Sequence, residues 1–154
     1  ESIDNRTEMD AARSIHEACD RLRPAAQRRE IQIELQLDAP PIWSNHVRLR
    51  EAIYNVVSTA VKFAPAKSGK VVIRSEQRNG TVRISVADNG PGIPKDELHR
   101  VFAPFHRLAT HRDVPGTGLG LYFAKNLVEA LGGRISVESE PGRGCTFNID
   151  LPLK

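Results

Sequence analysis

Long apolar runs, paired cysteines and a large excess of charge of one sign are all missing from this chain of 154 residues. No stretch approaches the roughly twenty consecutive apolar residues of a membrane-spanning helix. The two cysteines, Cys19 and Cys145, stand far apart, and no signal-like segment precedes them. These absences argue against a disulfide framework and predict a reduced, cytoplasmic setting.

Acidic and basic residues are mixed along the whole chain, which gives a net charge of +3. The one basic cluster, Arg21 to Arg29, has acids nearby, so nucleic acid is not an expected partner. The length fits a single domain. Because the chain begins at Glu1 rather than Met, we expect it to be a piece of a longer protein that is either membrane-anchored or soluble.

Hydrophobic periodicity predicts alternating helices and strands after a polar start at residues 1–9, which is either a linker or a short edge strand. Helices are predicted from Asp10, over 45–64, over 95–101 and after Gly116. Strands are predicted at 31–37, 71–76, 81–88, 134–138 and 145–151. Asn79-Gly80 predicts a hairpin between the second and third of these strands.

The strand at 81–88 ends in an acid that shares its apolar face, because the side chains alternate with a period of two. A buried carboxylate such as that of Asp88 needs an N–H donor from the protein or from a ligand. The exocyclic amine of adenine is such a donor. Gly90 and Gly92 lack a Cβ and let a flat ring lie against the backbone. The alternative is an ordinary strand-to-loop turn.

The helix at 45–64 carries an apolar stripe on one face and a polar stripe on the other. The polar stripe contains Asn55, Ser58, Thr59 and Lys62, which are spaced by three and four residues and therefore stack along the helix. A solvated helix face is the simplest interpretation. Asn, Ser and Thr are poor helix formers, however, and their presence in mid-helix favours a functional role.

A glycine-rich stretch opens the third helix and is preceded by a polar, aperiodic segment at 109–115, which we predict to be a mobile lid. Bare N–H groups and the positive end of the dipole at a helix start can hold phosphate. A lid hinge that ends in a helix cap is a compatible alternative. Neither the P-loop pattern nor the dinucleotide-binding glycine pattern is present.

Four segments follow one another in a distinctive order: the helix with Asn55 and Lys62, then Asp88-x-Gly90-x-Gly92, then Phe102-x-x-Phe105, then Gly116-x-Gly118-x-Gly120. In this order they resemble the catalytic and ATP-binding (HATPase, GHKL or Bergerat) domain of sensor histidine kinases. The likeness runs from about residue 10 to residue 152 and includes the closing segment 141–147. The segment 107–116 is similar to phytochrome-type kinases.

The resemblance implies a two-layer α/β sandwich with a mixed sheet of about five strands and three main helices on one face. Residues 10–154 would form the ATP-binding catalytic domain, and residues 1–9 the linker from an upstream helical dimerisation domain. The implied reaction transfers the γ-phosphoryl group of ATP to a histidine on that absent domain. That domain and a response regulator are the implied partners, and we expect this chain to be a monomer and its parent a homodimer.

The resemblance also implies roles for individual residues. Asp88 would accept a hydrogen bond from the adenine amine, with Thr146 supporting it through water, and Gly90 and Gly92 would flank the ring. Asn55 and Lys62 would be the catalytic residues of the helix, Asn55 holding Mg²⁺ and Lys62 neutralising phosphate charge together with Arg107. The triphosphate would be lined by Gly116, Thr117, Gly118, Leu119, Gly120 and Leu121.

One position departs from the family pattern, because Thr59 stands where a second asparagine is usual. A hydroxyl offers a single oxygen, whereas an amide also offers two N–H donors. Thr59 is therefore a candidate metal contact beside Asn55, and a degenerate pseudokinase that acts through protein contacts is the alternative. A stand-alone ATPase or a serine-directed kinase would need a general-base acid where Asn55 stands, and both are disfavoured.

Overall fold

The computed structural model describes residues 5–105 and 119–153, which form a two-layer α/β sandwich. The strands are β1 (Thr7–Met9), β2 (Gln32–Asp38), β3 (Ile42–Ser44), β4 (Lys70–Arg78), β5 (Thr81–Asp88), β6 (Arg134–Ser139) and β7 (Cys145–Pro152). The α-helices are α1 (Ala11–Arg28), α2 (His46–Phe63) and α3 (Gly120–Ala130), and a 3₁₀ helix spans Lys95–Arg100.

The main sheet has five strands in the order β2-β4-β5-β7-β6. β2 and β4 are parallel, and the other three pairings are antiparallel, so the sheet is mixed as expected. All three helices contact the sheet, and α2 packs against both α1 and α3. On the sheet, α2 packs against β4 and the central strand β5.

Alternation along the strands decides which side chains enter the core. On β5 and β7 the paired residues Val86 and Phe147 are both buried, as are Ile84 and Ile149. The intervening residues lie on the opposite face of the sheet, where the Arg83 guanidinium binds the Asp150 carboxylate at 2.7 and 3.0 Å. The apolar face packs against buried stripes of the helices, and a single core results.

Both long helices begin at side-chain caps. The Asp10 carboxylate accepts a hydrogen bond from the Ala12 N–H at 2.9 Å, and the Asn45 side-chain Oδ1 accepts one from the Arg48 N–H at 3.0 Å. Such caps satisfy amides that have no partner within the helix. α1 runs through Pro24 to Arg28, so this proline does not end the helix.

β3 was not predicted, and β1 lies within residues 1–9, for which a linker and a short edge strand were the alternatives. β1 and β3 form a separate two-stranded antiparallel sheet, with Glu8 opposite Trp43. β3 is only three residues long and directly follows two prolines, so it has too few residues to show a period. None of the helices within the described ranges is long and apolar enough to cross a membrane.

Candidate functional site

Asp88 is the last residue of β5, and this residue is half-buried. Its Oδ1 accepts a hydrogen bond from the Gly90 N–H at 2.8 Å. Burial raises the pKa of this carboxyl, while backbone N–H donors from Gly90 and Cys145 lower it and only partly offset that effect. The protein therefore satisfies only part of the hydrogen-bonding capacity of the Asp88 carboxylate, which favours a ligand with a further N–H donor.

The turn after β5 interlocks with the turn between β6 and β7. We refer to residues 88–94 as the Asp88 turn and to residues 140–144 as the β6–β7 turn. Gly92 has φ = +79°, and a Cβ added to it would lie 2.2 Å from the Glu140 carbonyl oxygen. A Cβ added to Gly144 would lie 2.0 Å from the Asp88 carbonyl oxygen. The Gly142 N–H also donates to the Pro91 carbonyl at 2.7 Å, so backbone packs directly on backbone.

Helix α2 borders both glycine regions of the sequence. A Cβ added to Gly90 would lie 2.7 Å from the Phe63 carbonyl oxygen at the end of α2. Further back along the same helix, the Asn55 Oδ1 would lie 3.5 Å and the Thr59 Oγ1 3.9 Å from a Cβ added to Gly120. Eight residues of helix separate the two contacts, which corresponds to about 12 Å. One helix therefore connects the Asp88 turn to the start of α3.

Asn55 and Thr59 each donate one hydrogen bond to a backbone carbonyl of α2. The Asn55 Nδ2 donates to the Glu51 carbonyl at 2.8 Å, and the Thr59 hydroxyl donates to the Asn55 carbonyl at 3.0 Å. Their oxygens keep lone pairs on the side that faces Gly120. Oxygen acceptors are the ligands that Mg²⁺ prefers, and Mg²⁺ is usually held by one or two protein groups together with phosphate oxygens.

This oxygen pair is the part of the described structure that fits a magnesium ion. No group of three or more His, Cys, Asp or Glu side chains that could hold a metal exists within residues 5–105 and 119–153. A cation bound by Asn55 and Thr59 would need further oxygens from a ligand. The donor set therefore fits Mg²⁺ that arrives with a nucleotide.

The start of α3 is open to an anion within the described residues. Its N-cap, Leu119, makes no side-chain capping bond, and its first turn contains no acid. Leu121 is half-buried and packs against the core. The Lys62 side chain is exposed on the last turn of α2. The remaining predicted phosphate contacts, and the lid at 109–115, lie outside the described residues: Arg107, Gly116, Thr117 and Gly118.

The support of Asp88 by Thr146 stays a prediction, and the strand register shows where Thr146 lies. Thr146 pairs with Ala87, and the alternation of side chains places it on the face of the sheet away from the helices. The residue beside Asp88 on the helix face is Cys145, whose backbone N–H reaches the Asp88 carboxylate. Burial raises the pKa of the Cys145 thiol to about 11, so it stays protonated. The period of two, counted back from Phe147, identifies this position from sequence.

Ser139, the last residue of β6, was not singled out from the sequence. Its Oγ accepts a hydrogen bond from the Ile93 N–H at 2.8 Å and donates to the Gly144 carbonyl at 2.8 Å. It also lies 3.2 Å from the Cys145 Sγ. The hydroxyl thus joins the Asp88 turn to the β6–β7 turn, a link between distant segments that no local pattern reveals.

Comparison with known proteins gives consistent matches. A family profile described as "Histidine kinase-, DNA gyrase B-, and HSP90-like ATPase" matches residues 44–154. The chain is 39% identical over 132 residues to the autoinducer 2 sensor kinase/phosphatase LuxQ of Vibrio parahaemolyticus, covering 81% of this chain and 15% of that protein. The chain thus spans about a seventh of the length of that curated relative.

Solved structures show the same likeness. The mycobacterial sensor histidine kinase MprB is 32% identical with a TM-score of 0.84, covering 95% of this chain and 97% of that one. Full-length ShkA in complex with AMPPNP is 31% identical with a TM-score of 0.82, covering 96% of this chain and 31% of that one. The match therefore extends over nearly the whole of this chain.

Proposed function

The chain belongs to the histidine kinase-, DNA gyrase B- and HSP90-like ATPase family, as an ATP-binding catalytic domain of the sensor-kinase type, and we propose that it binds Mg²⁺-ATP between α2, α3 and the Asp88 turn. The proposed reaction is transfer of the γ-phosphoryl group to a histidine on a separate helical dimerisation domain. Positioning and neutralisation of charge carry most of the rate enhancement in such transfers.

The observation that carries this proposal is the position of α2 between the two halves of the site. Its last turn contacts the Asp88 turn at Gly90, and its middle presents Asn55 and Thr59 to Gly120 at the start of α3. A nucleotide bound along α2 has its base at the carboxylate and its phosphates at the uncapped helix start. The charges at the two ends support this orientation. The Asp88 carboxylate would face the N–H donor of the base, and the positive end of the α3 helix dipole would face the anionic phosphates.

The base end is built from few groups. The Asp88 carboxylate accepts from an exocyclic amine. Gly90 and Gly92 let the Asp88 turn pack directly against the Phe63 and Glu140 carbonyls, which positions the backbone that carries this carboxylate. A purine with a carbonyl in place of that amine presents an acceptor to an acceptor, so the same site disfavours guanine. The Asp88 carboxylate therefore favours adenine and also discriminates against guanine.

The phosphate end depends on oxygens and cations. Asn55 and Thr59 hold Mg²⁺ through their oxygens, and Lys62 contributes positive charge at the edge of the site. When bound, the ion neutralises charge on the phosphate oxygens. Asparagine at position 55 cannot take a proton from water, which favours transfer to a protein side chain over hydrolysis.

The remaining parts of the proposal concern the longer protein. Residues 10–154 are the catalytic domain, and residues 1–9 continue from an upstream dimerisation domain that supplies the phosphoacceptor histidine. A response regulator receives the phosphoryl group, and the parent acts as a homodimer. Support comes from relatives that are described as sensor kinases and are much longer than this chain.

Calorimetric titration with AMPPNP, with and without Mg²⁺, tests the proposed function. We expect the unaltered chain to bind with a micromolar dissociation constant that weakens when Mg²⁺ is removed. Asp88→Asn removes an ionised acceptor and should weaken binding at least tenfold, as expected for the loss of a charge-assisted hydrogen bond of roughly 1.5–3 kcal/mol. Asn55→Ala should abolish the effect of Mg²⁺ and leave the Mg²⁺-free affinity unchanged.

Two results would contradict the proposal. Equal binding of AMPPNP by the unaltered chain and Asp88→Asn would show that the base lies elsewhere. Absence of binding by the unaltered chain, with binding restored by Thr59→Asn, would identify a pseudokinase whose function rests on protein contacts.

A further inference from the structure

We propose that Ser139 is a positioning residue of the nucleotide site, whose hydroxyl fastens the Asp88 turn to the β6–β7 turn and thereby sets the position of the Asp88 carboxylate. This inference rests on the proposed function, because it assigns the fastening to the base end of that site. The residue acts through the backbone around Asp88 and needs no contact with the nucleotide.

The hydrogen bonds of the Ser139 hydroxyl account for all of its capacity. A hydroxyl has one proton and two acceptor lone pairs. The proton goes to the Gly144 carbonyl at 2.8 Å, and one lone pair accepts from the Ile93 N–H at 2.8 Å. The other lone pair faces the Cys145 Sγ at 3.2 Å, which leaves the thiol as the donor in that contact. Three separate positions in two turns are therefore held by a single oxygen.

Each residue that contacts the Ser139 hydroxyl also contacts Asp88 or lies in the Asp88 turn. Gly144 packs against the Asp88 backbone so closely that an added Cβ would lie 2.0 Å from its carbonyl oxygen. Cys145 donates its backbone N–H to the Asp88 carboxylate. Ile93 is fully buried and ends the tight part of the Asp88 turn. The hydroxyl thus fixes both the start and the end of the turn that carries the carboxylate.

Loss of the hydroxyl would leave polar groups without partners. The Ile93 N–H and the Gly144 carbonyl would then need water or a shifted backbone to satisfy them. Because the two turns pack backbone against backbone, a shift in one is transmitted to the other. We expect the carboxylate to sample several positions, which weakens a ligand that depends on one position.

The chain offers matched variants for a test. Ser139→Ala removes the hydroxyl, and Ser139→Thr keeps it on a strand that tolerates a branched side chain. Ser75→Ala is the control, because Ser75 is another strand serine, buried where Ser139 is half-buried, and its Oγ accepts from the Asp38 N–H at 3.1 Å. Ser75 lies on β4 in the half of the strand that pairs away from Asp88.

The first readout is the dissociation constant for AMPPNP with Mg²⁺, measured well below the unfolding temperature of each variant. We expect Ser139→Ala to weaken binding about tenfold, since one net hydrogen bond corresponds to about that factor. Ser139→Thr and Ser75→Ala should bind within about twofold of the unaltered chain, although Ser75→Ala loses stability. Equal affinity of Ser139→Ala and the unaltered chain would overturn the proposal, as would equal losses in Ser139→Ala and Ser139→Thr.

The second readout is hydrogen exchange of the Ile93 amide in the nucleotide-free chain. We expect this amide to be protected, and its exchange to accelerate about tenfold in Ser139→Ala but not in Ser75→Ala. If Ser139→Ala does not fold, hydrogen exchange in the unaltered chain still tests the proposal. An unprotected Ile93 amide in that chain would contradict the fastening by Ser139. If the unaltered chain binds no AMPPNP, the proposed function fails, and Ile93 exchange alone then supports or overturns the fastening by Ser139.

Discussion

Asp88, a proposed binding residue, lowers the stability of the folded chain when it is ionised. Burial raises the pKa of its carboxyl, and the N–H groups of Gly90 and Cys145 offset this only in part. In the folded chain without ligand, the ionised form therefore carries a free-energy cost. A ligand that donates a hydrogen bond to the carboxylate removes part of that cost on binding.

The raised pKa predicts the pH dependence of stability. The folded state binds a proton at Asp88 more tightly than the unfolded state does. The contribution of this proton to the free energy of unfolding is therefore complete below the ordinary aspartate pKa, and it is lost as the pH rises through the raised pKa. Asp88→Asn stays neutral and should remove this pH-dependent loss. We expect the variant to be at least as stable as the unaltered chain at neutral pH, measured by urea unfolding at several pH values. A clear loss of stability at neutral pH would contradict this account.

Thr59 provides a second prediction at the scale of one residue. Thr59→Val keeps the shape of the side chain but removes the oxygen that faces Gly120, whereas Thr59→Ser keeps the oxygen. We expect Thr59→Val to weaken Mg²⁺-dependent AMPPNP binding about fivefold, which corresponds to about 1 kcal/mol. Thr59→Ser should retain most of the affinity. Equal affinities of Thr59→Val and the unaltered chain in calorimetry would show that Thr59 does not contribute to metal binding.

Sequence alone predicts the residues whose role follows from local pattern. The alternation along β5 identifies Asp88, and the spacing by three and four residues identifies the polar stripe of α2 that contains Asn55 and Thr59. Thr146 was predicted as the partner of Asp88 because the position was carried over from a family motif, and one residue along a strand reverses the face. The role of Ser139 depends on contacts with residues far away in sequence, which no pattern around position 139 contains.

At the scale of elements, α2 positions most of the site, and its C-terminal turn is held by α1. The Arg29 guanidinium donates to the Val61 carbonyl, and to the Lys62 and Ala64 carbonyls at 2.8 Å each. These carbonyls have no partner within the helix at its end. A cation there also interacts favourably with the helix dipole. The turn that contacts Gly90 is therefore anchored from a second helix.

Replacement of Arg29 should loosen this anchor. We expect Arg29→Ala to lower the free energy of unfolding by about 2 kcal/mol, since hydrogen bonds from a charged group contribute about 1.5–3 kcal/mol. Replacement of its exposed neighbour, Arg28→Ala at the last position of α1, should change the free energy of unfolding by less than about 0.5 kcal/mol. Chemical denaturation of both variants measures the difference. Equal effects would show that the anchor does not stabilise α2.

The elements themselves were largely predicted from period and capping. The five strands of the main sheet and the three main helices follow from regular apolar spacing. β3 was missed because three residues after two prolines show no period, and its pairing with β1 depends on a distant segment. A proline inside a helix usually ends or kinks it, yet α1 continues past Pro24, and residues on both sides of it, Leu22 and Ala26, are buried in the core.

At the scale of the whole molecule, the site lies where elements from both ends of the sequence meet. α2 and β5 come from the first two thirds of the chain, and the β6–β7 turn that packs on the Asp88 turn comes from the last part. The backbone contacts of Gly92 and Gly144 join them. The order of motifs in the sequence predicts that such a site exists, but only the fold shows which turns touch.

Amide chemical shifts during titration with AMPPNP and Mg²⁺ test the central claim most directly, because they locate the ligand residue by residue. The account predicts large shifts at Gly90, Gly92 and Gly120, and small shifts on β2 and on the outer face of the sheet. Asp88→Asn should abolish the shifts of all three glycines together. Shifts confined to one end of α2, or centred on another surface, would contradict a nucleotide that spans from the Asp88 turn to the start of α3.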